Sequence, residues 1–149
     1  MELKYKLAIE LIEHFEGFSA VPYTCAAGVK TVGFGRTHNI KPNEVTTKAR
    51  ERQWILRELY DINEVINKSV WPYMDQHEMA SLLSFCYNIG DNAFANSTLV
   101  SRLNANDPEA SKEMLRWVRG GGKTLPGLLR RRRTEYHLFC TREVNFFEN

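Results

Sequence analysis

The feature that most constrains this chain is a change of hydrophobic period at Gly17. Before it, Leu3, Leu7, Ala8, Leu11, Ile12 and Phe15 recur at three- and four-residue steps, the pattern of one helix face. Gly17 suits the position just past a helix end, which predicts a first helix stopping near Glu16. From Phe18 to about Ile40 the residues change character. Val21, Tyr23, Thr31, Val32 and Phe34 favour strands, while Pro22, Gly28, Gly33 and Gly35 supply turns. A hairpin-based sheet of two or three strands is predicted there, too small to be stable without helices to pack on.

The remainder supplies those helices. Ile55, Leu59, Ile62 and Ile66 form one apolar stripe in a stretch from about Thr46 to Lys68, broken by Trp71-Pro72. Asp75 with Glu78 reads as a capping box opening a helix that carries Ala80, Leu83, Cys86 and Tyr87 and stops at Gly90. Ser97 can cap a helix through Leu103, and Asp107-Pro108 predicts another from Pro108 to about Val118. Gly120, Gly121 and Gly122 read as a flexible loop before a last helix from Pro126 to about Cys140. The fold class is therefore α+β, mainly helical, with one small antiparallel sheet near the N-terminus.

Bulk properties exclude several functions. With 149 residues, 43% apolar and 26% charged, the chain can bury one core and is not a disordered sequence. No apolar run approaches the roughly 20 residues that span a bilayer. Glu10, Glu13 and Glu16 interrupt the N-terminal apolar pattern, so no signal peptide is expected and the chain should stay in the cytosol of the cell that makes it. Cys25, Cys86 and Cys140 are odd in number and widely spaced, which suits reduced thiols rather than a disulfide or zinc framework. His14, His38, His77 and His137 show no metal-ligand spacing; no metal and no cofactor are expected. Net charge is +2, and the consecutive Arg130, Arg131, Arg132 and Arg133 fan around a helix at about 100° per residue. One or two of them can turn inward to a carboxylate, with the others on a solvated face. No stacking aromatics or nucleic-acid motif accompany the run, so nucleic acid is not an expected partner.

Glu16 is the strongest candidate for chemistry. A carboxyl at the last turn of a helix meets the negative end of the helix dipole, a setting that favours the protonated form a general acid needs. It could equally be one more solvated surface glutamate. Cys25 in a turn is a common place for a small apolar filler, and a thiol with an unperturbed pKa of about 8.5 is a poor base at neutral pH. Thr31 fits an ordinary β-branched strand residue.

Together these residues resemble a known pattern. Glu16-Gly17, Tyr23, Gly28 and the run Thr31-Val32-Gly33-Phe34-Gly35-Arg36-Thr37 are similar to the N-terminal signature of bacteriophage-type lysozymes, the endolysins of glycoside hydrolase family 24. That family spaces Glu, then Asp or Cys, then Thr as Glu16, Cys25 and Thr31 are spaced here. A second block, Ser84 to Gly90 with Phe94 and Ser97-Thr98-Leu99, and a third, Leu115-Arg116-Trp117 through Pro126-Gly127-Leu128 to Arg131, Arg132 and Glu135, extend the likeness from about Ile9 to Phe139.

The resemblance implies a single lysozyme domain over 1–149. A β-subdomain at about 16–45 would carry the active cleft against a helical subdomain formed by 1–15 and 46–149. It implies a muramidase cleaving the β-1,4 link between N-acetylmuramic acid and N-acetylglucosamine in peptidoglycan, causing host lysis. Glu16, Cys25 and Thr31 would be catalytic, Thr37, Tyr87 and Ser97 would contact sugar, and Arg131 would support Glu16. A monomer without stable membrane insertion is expected, held in the host cytoplasm until a holin-type permeabiliser releases it to the periplasm and wall. Two alternatives stand beside this: a lysozyme fold that binds glycan with little turnover, motivated by the thiol at position 25, and a lytic transglycosylase, in which an internal sugar hydroxyl replaces water. Many relatives carry histidine where this chain has Arg36, so a histidine–carboxylate contact at that point lacks its histidine here.

Overall fold

A computed structural model describes residues 1–148. The first helix, α1 (Leu3–Glu16), ends at Gly17, whose φ of +69° is the left-handed region that favours glycine. The antiparallel strands β1 (Ser19–Thr24) and β2 (Lys30–Gly33) follow, with Tyr23 opposite Thr31 and Thr24 opposite Lys30. A bulge interrupts the register between Ser19 and Tyr23. The chain then enters the long helix α2 (Lys48–Ser69), capped by the Thr47 hydroxyl, which accepts from the Arg50 amide.

Helix α3 (Gln76–Ile89) opens with the predicted capping box of Asp75 and Glu78. Every residue from Met79 to Cys86 is buried, because α1, α2 and α6 (Pro126–Thr141) pack around it. Between α3 and α6 lie α4 (Asp91–Ala95), α5 (Thr98–Asn104) and a 3₁₀ segment, Ala110–Arg116. The main core joins Ile9, Ile12, Leu59, Ile66, Leu82, Phe85, Phe94, Leu99 and Met114. Phe34 brings the hairpin onto this core, its ring 5.1 Å from that of Phe18.

Two expectations are corrected and one element is added. The helix predicted over Pro108–Val118 is a 3₁₀ turn series: Asp107 caps the Glu109 amide, but the continuation tightens to i→i+3 bonds such as Trp117 N–H to the Met114 carbonyl. The glycines at 120–122 are not a loose loop. Gly121 and Gly122, both at positive φ, turn a two-residue hairpin pairing β3 (Arg119–Gly120) with β4 (Lys123–Thr124). Helix α4 was not foreseen, since five residues are too few to show a period.

After α6 the chain folds back along α1. Val144 and Phe146, together with Leu7, pack on Leu11, Ala80 and Leu138. The Phe146 ring then stacks on His14 at 3.8 Å, and His14 Nε2 lies 2.7 Å from a Glu148 carboxylate oxygen. Among the described residues, no helix is long and apolar enough to cross a membrane.

Candidate active site

Glu16 ends α1 at the mouth of a cleft of about 650 Å³, whose walls include Phe15, Asn88, Leu128, Arg131 and Glu148. Its side chain is 27% exposed, and Oε1 accepts from Arg131 Nη1 at 2.8 Å. Of the four consecutive arginines, Arg131 and Arg132 are buried and Arg130 and Arg133 are exposed. The basic run is therefore split between an internal network and solvent. Arg131 is fixed on its other edges, with Nη2 donating to the Ser84 carbonyl at 3.1 Å and Nε to Glu135 at 3.3 Å. An arginine fork held at this many points restricts the carboxylate it binds.

The hairpin reaches Glu16 through Gly35, just beyond β2. A Cβ there would stand 3.0 Å from Glu16 Oε2, and the φ of +90° is one that side chains rarely adopt. The φ favours glycine, and an added Cβ would press on the Glu16 carboxylate. Cys25 and Thr31 lie on that hairpin. Cys25 begins the turn after β1, which is closed by its amide donating to the Val29 carbonyl and by the Gly28 amide donating back to Cys25, both at 2.9 Å. The backbone at Val29 and at Ala27, and more weakly the Thr31 hydroxyl, hold the Cys25 thiol below its ordinary pKa, against a smaller opposing effect of desolvation. Thr31 is buried on β2 and donates to the Val29 carbonyl at 3.0 Å.

The other expected residues distribute unevenly. Tyr87, on α3, is half-buried and sits in the electrostatic field of Glu58, Glu16 and Arg131. Burial first, and then Glu58 and Glu16, push its phenol above the ordinary range, so it stays a hydrogen-bond donor. Thr37 is exposed in the segment after Arg36. Ser97 is buried at the start of α5, where its hydroxyl donates to the Phe94 carbonyl at 2.7 Å and accepts from the Val100 amide at 3.2 Å.

Sequence reasoning missed the hub that fastens the hairpin. Arg36 is 6% exposed and gives Nε to Glu51 at 2.9 Å and Nη2 to the same carboxylate at 3.2 Å. It also bonds Glu44 and donates to the His38 and Asn39 carbonyls, each at 2.9 Å. The Thr46 hydroxyl completes Glu51 at 3.0 Å. Arg36 thus supplies a cation–carboxylate contact of its own at this point. The available signal was an arginine within one short segment of two glutamates, but helix phase alone does not turn Glu51 toward the hairpin.

The family model described as phage lysozyme matches residues 13–135. The chain belongs to the phage lysozyme family. An endolysin of Acyrthosiphon pisum secondary endosymbiont phage 1 is 34% identical over 134 residues, covering 87% of this chain and 92% of that protein. The endolysin of Bacillus phage B103 is 32% identical over 91% of this chain, which spans only 53% of its length. The solved endolysin of Escherichia coli O157:H7 phage FAHEc1 superposes with a TM-score of 0.85 at 28% identity, covering 97% of each chain. Family membership makes the chain a glycoside hydrolase of the muramidase type and an endolysin directed at peptidoglycan. It also fits the α+β architecture, a helical body with one small antiparallel sheet before α2.

Proposed function

We propose that this endolysin cleaves the β-1,4 bond between N-acetylmuramic acid and N-acetylglucosamine, with Glu16 as general acid. The observation that carries this reading is the Arg131-held carboxylate of Glu16 at the edge of a cleft, approached by the hairpin at Gly35. Glu16 protonates the leaving glycosidic oxygen while positive charge develops on the sugar. The Thr31 hydroxyl holds the attacking water. Cys25, with its thiol eased toward the thiolate, assists in placing and activating that water. Tyr87 donates its phenol proton to a sugar oxygen, and the exposed Thr37 offers a second hydroxyl. Ser97 contributes to sugar binding only where its capping bonds leave a lone pair free.

The same reading treats residues 1–149 as one lysozyme domain that acts as a monomer, is held in the host cytoplasm and reaches the wall after a holin-type partner opens the membrane. The test is clearing of chloroform-treated Gram-negative cells by wild type and Glu16→Gln. Loss of about 10²- to 10⁴-fold is expected for removal of a general acid. Equal clearing by both proteins rejects the role. Mass analysis of the products distinguishes hydrolysis from transglycosylation, whose anhydro-muramic end is lighter by one water.

A further inference from the structure

One wholly buried acid has no part in the steps above. Glu135, on α6, is 0% exposed. Its Oε2 accepts from the Ser84 hydroxyl at 2.6 Å and from Arg131 Nε at 3.3 Å, and its Oε1 accepts from Arg132 Nη1 at 2.5 Å. Arg132, also 0% exposed, donates onward to the Trp117 carbonyl at 2.8 Å and to Asn88. Arg131, 2% exposed, therefore stands between two carboxylates, with Nη1 on Glu16 in the cleft and Nε on Glu135 inside the protein.

This arrangement matters because the two carboxylates have different duties. A general acid must be uncharged when it donates its proton. A buried guanidinium that loses its only anion is left as an uncompensated charge, which strongly destabilises the fold. If Glu16 were the sole partner of Arg131, every protonation of Glu16 would strand that charge. Glu135 prevents this, since one edge of the fork stays bonded to a fixed anion in either state of Glu16. We propose that Glu135 is a positioning residue of the reaction: it keeps Arg131 seated and charge-compensated so that Glu16 can alternate between carboxylic acid and carboxylate. The proposal rests on the reading of Glu16 as the acid. The charged and titratable groups facing this pair are Glu16 from α1, Tyr87 from α3 and Arg132 from α6, with Glu58 and Glu51 of α2 beyond Tyr87.

The test compares Glu135→Gln, Arg131→Gln and their combination, each confirmed folded by thermal unfolding, for kcat, KM and pH–activity profile on peptidoglycan. Because Glu135→Gln leaves Arg132 without its carboxylate, a charge-balanced variant, Arg132→Gln with Glu135→Gln, is measured beside it. Both should lower kcat roughly 10- to 100-fold with KM within about twofold, the scale expected for a mispositioned acid. Their activity optimum should also move to lower pH, since Arg131 then has only Glu16 to hold as an anion. In an Arg131→Gln background, Glu135→Gln should add no further kcat loss and no pH shift. A folded Glu135→Gln or charge-balanced variant with wild-type kcat and optimum overturns the proposal. Undiminished activity in Glu16→Gln instead overturns the acid reading, so the two failures are distinguishable.

Discussion

Glu51→Gln tests whether the hairpin is fastened by charge. The substitution keeps side-chain shape, so no cavity opens, but it removes one of two carboxylates from Arg36. Breaking a buried ion pair by removing one partner costs about 3–5 kcal/mol. Glu44 remains bonded to Arg36, and the amide oxygen of the introduced glutamine can still accept one bond, which places the loss at the lower end. In either orientation the new amide nitrogen faces an Arg36 donor, forfeiting a hydrogen bond worth about 1 kcal/mol that is included in this figure. A net loss of about 3 kcal/mol lowers Tm by roughly 6–12 °C for a chain of this size.

The assay is thermal and urea unfolding at pH 7, with the urea slope unchanged if the folded state is still compact. Glu13→Gln is the control. Its pair with Arg52 has side chains 20% and 49% exposed, and its loss should shift stability by no more than about 0.5 kcal/mol. A Glu51→Gln protein that melts within about 2 °C of wild type refutes the reasoning, since ~2 °C corresponds to under ~1 kcal/mol.

Iodoacetamide should label Cys25 faster than the buried Cys86, whose thiol is pushed up to about 12 by burial and then Asp91; peptide mapping against time checks the order. Cys25→Ser should cost at least about tenfold in clearing rate while Cys25→Asp retains activity, and a fully active Cys25→Ser removes the thiolate role. Burial opposes ionisation of Asp75, yet the Glu78 and His77 amides and the Arg142 guanidinium together hold its carboxyl below the usual range. A depressed native pKa stabilises above the unfolded value of about 3.9 and is lost as pH falls through the native one, so Arg142→Gln should lower Tm at pH 6 and converge on wild type in strong acid. Burial raises the Glu58 pKa, with His38 at 3.5 Å only partly offsetting it. A raised native pKa penalises the fold as pH rises through it, so the Tm of Glu58→Gln relative to wild type should improve from pH 4 to pH 7.

The helices were legible because their signals are local. The Gly17 stop, the Asp75–Glu78 box and the Ser97 cap each depend on residues three or four apart, and each is observed. The 3₁₀ segment was not, because α and 3₁₀ helices share the same cap and diverge only when packing tightens the turn. For the site, an inward arginine of the last helix could be foreseen, since consecutive arginines cannot share one face, while its partner Glu16 followed only from the family resemblance. The Arg36 hub could not, because its bonds to Glu44 and Glu51 depend on how the hairpin lies against α2.

The ring of the turn at Cys25 is closed by main-chain bonds, from its own amide to Val29 and from Gly28 back to its carbonyl, and the thiol adds contacts to the Val29 and Ala27 backbone within it. The turn therefore asks for a small polar side chain rather than for a thiol, in contrast to Gly33, where any Cβ would run into the Glu51 carboxylate. Position 25 is thus mutationally cheap for architecture. Its identity is open to selection chiefly by turnover, which makes it the place to graft a different small functional group and read the change as chemistry.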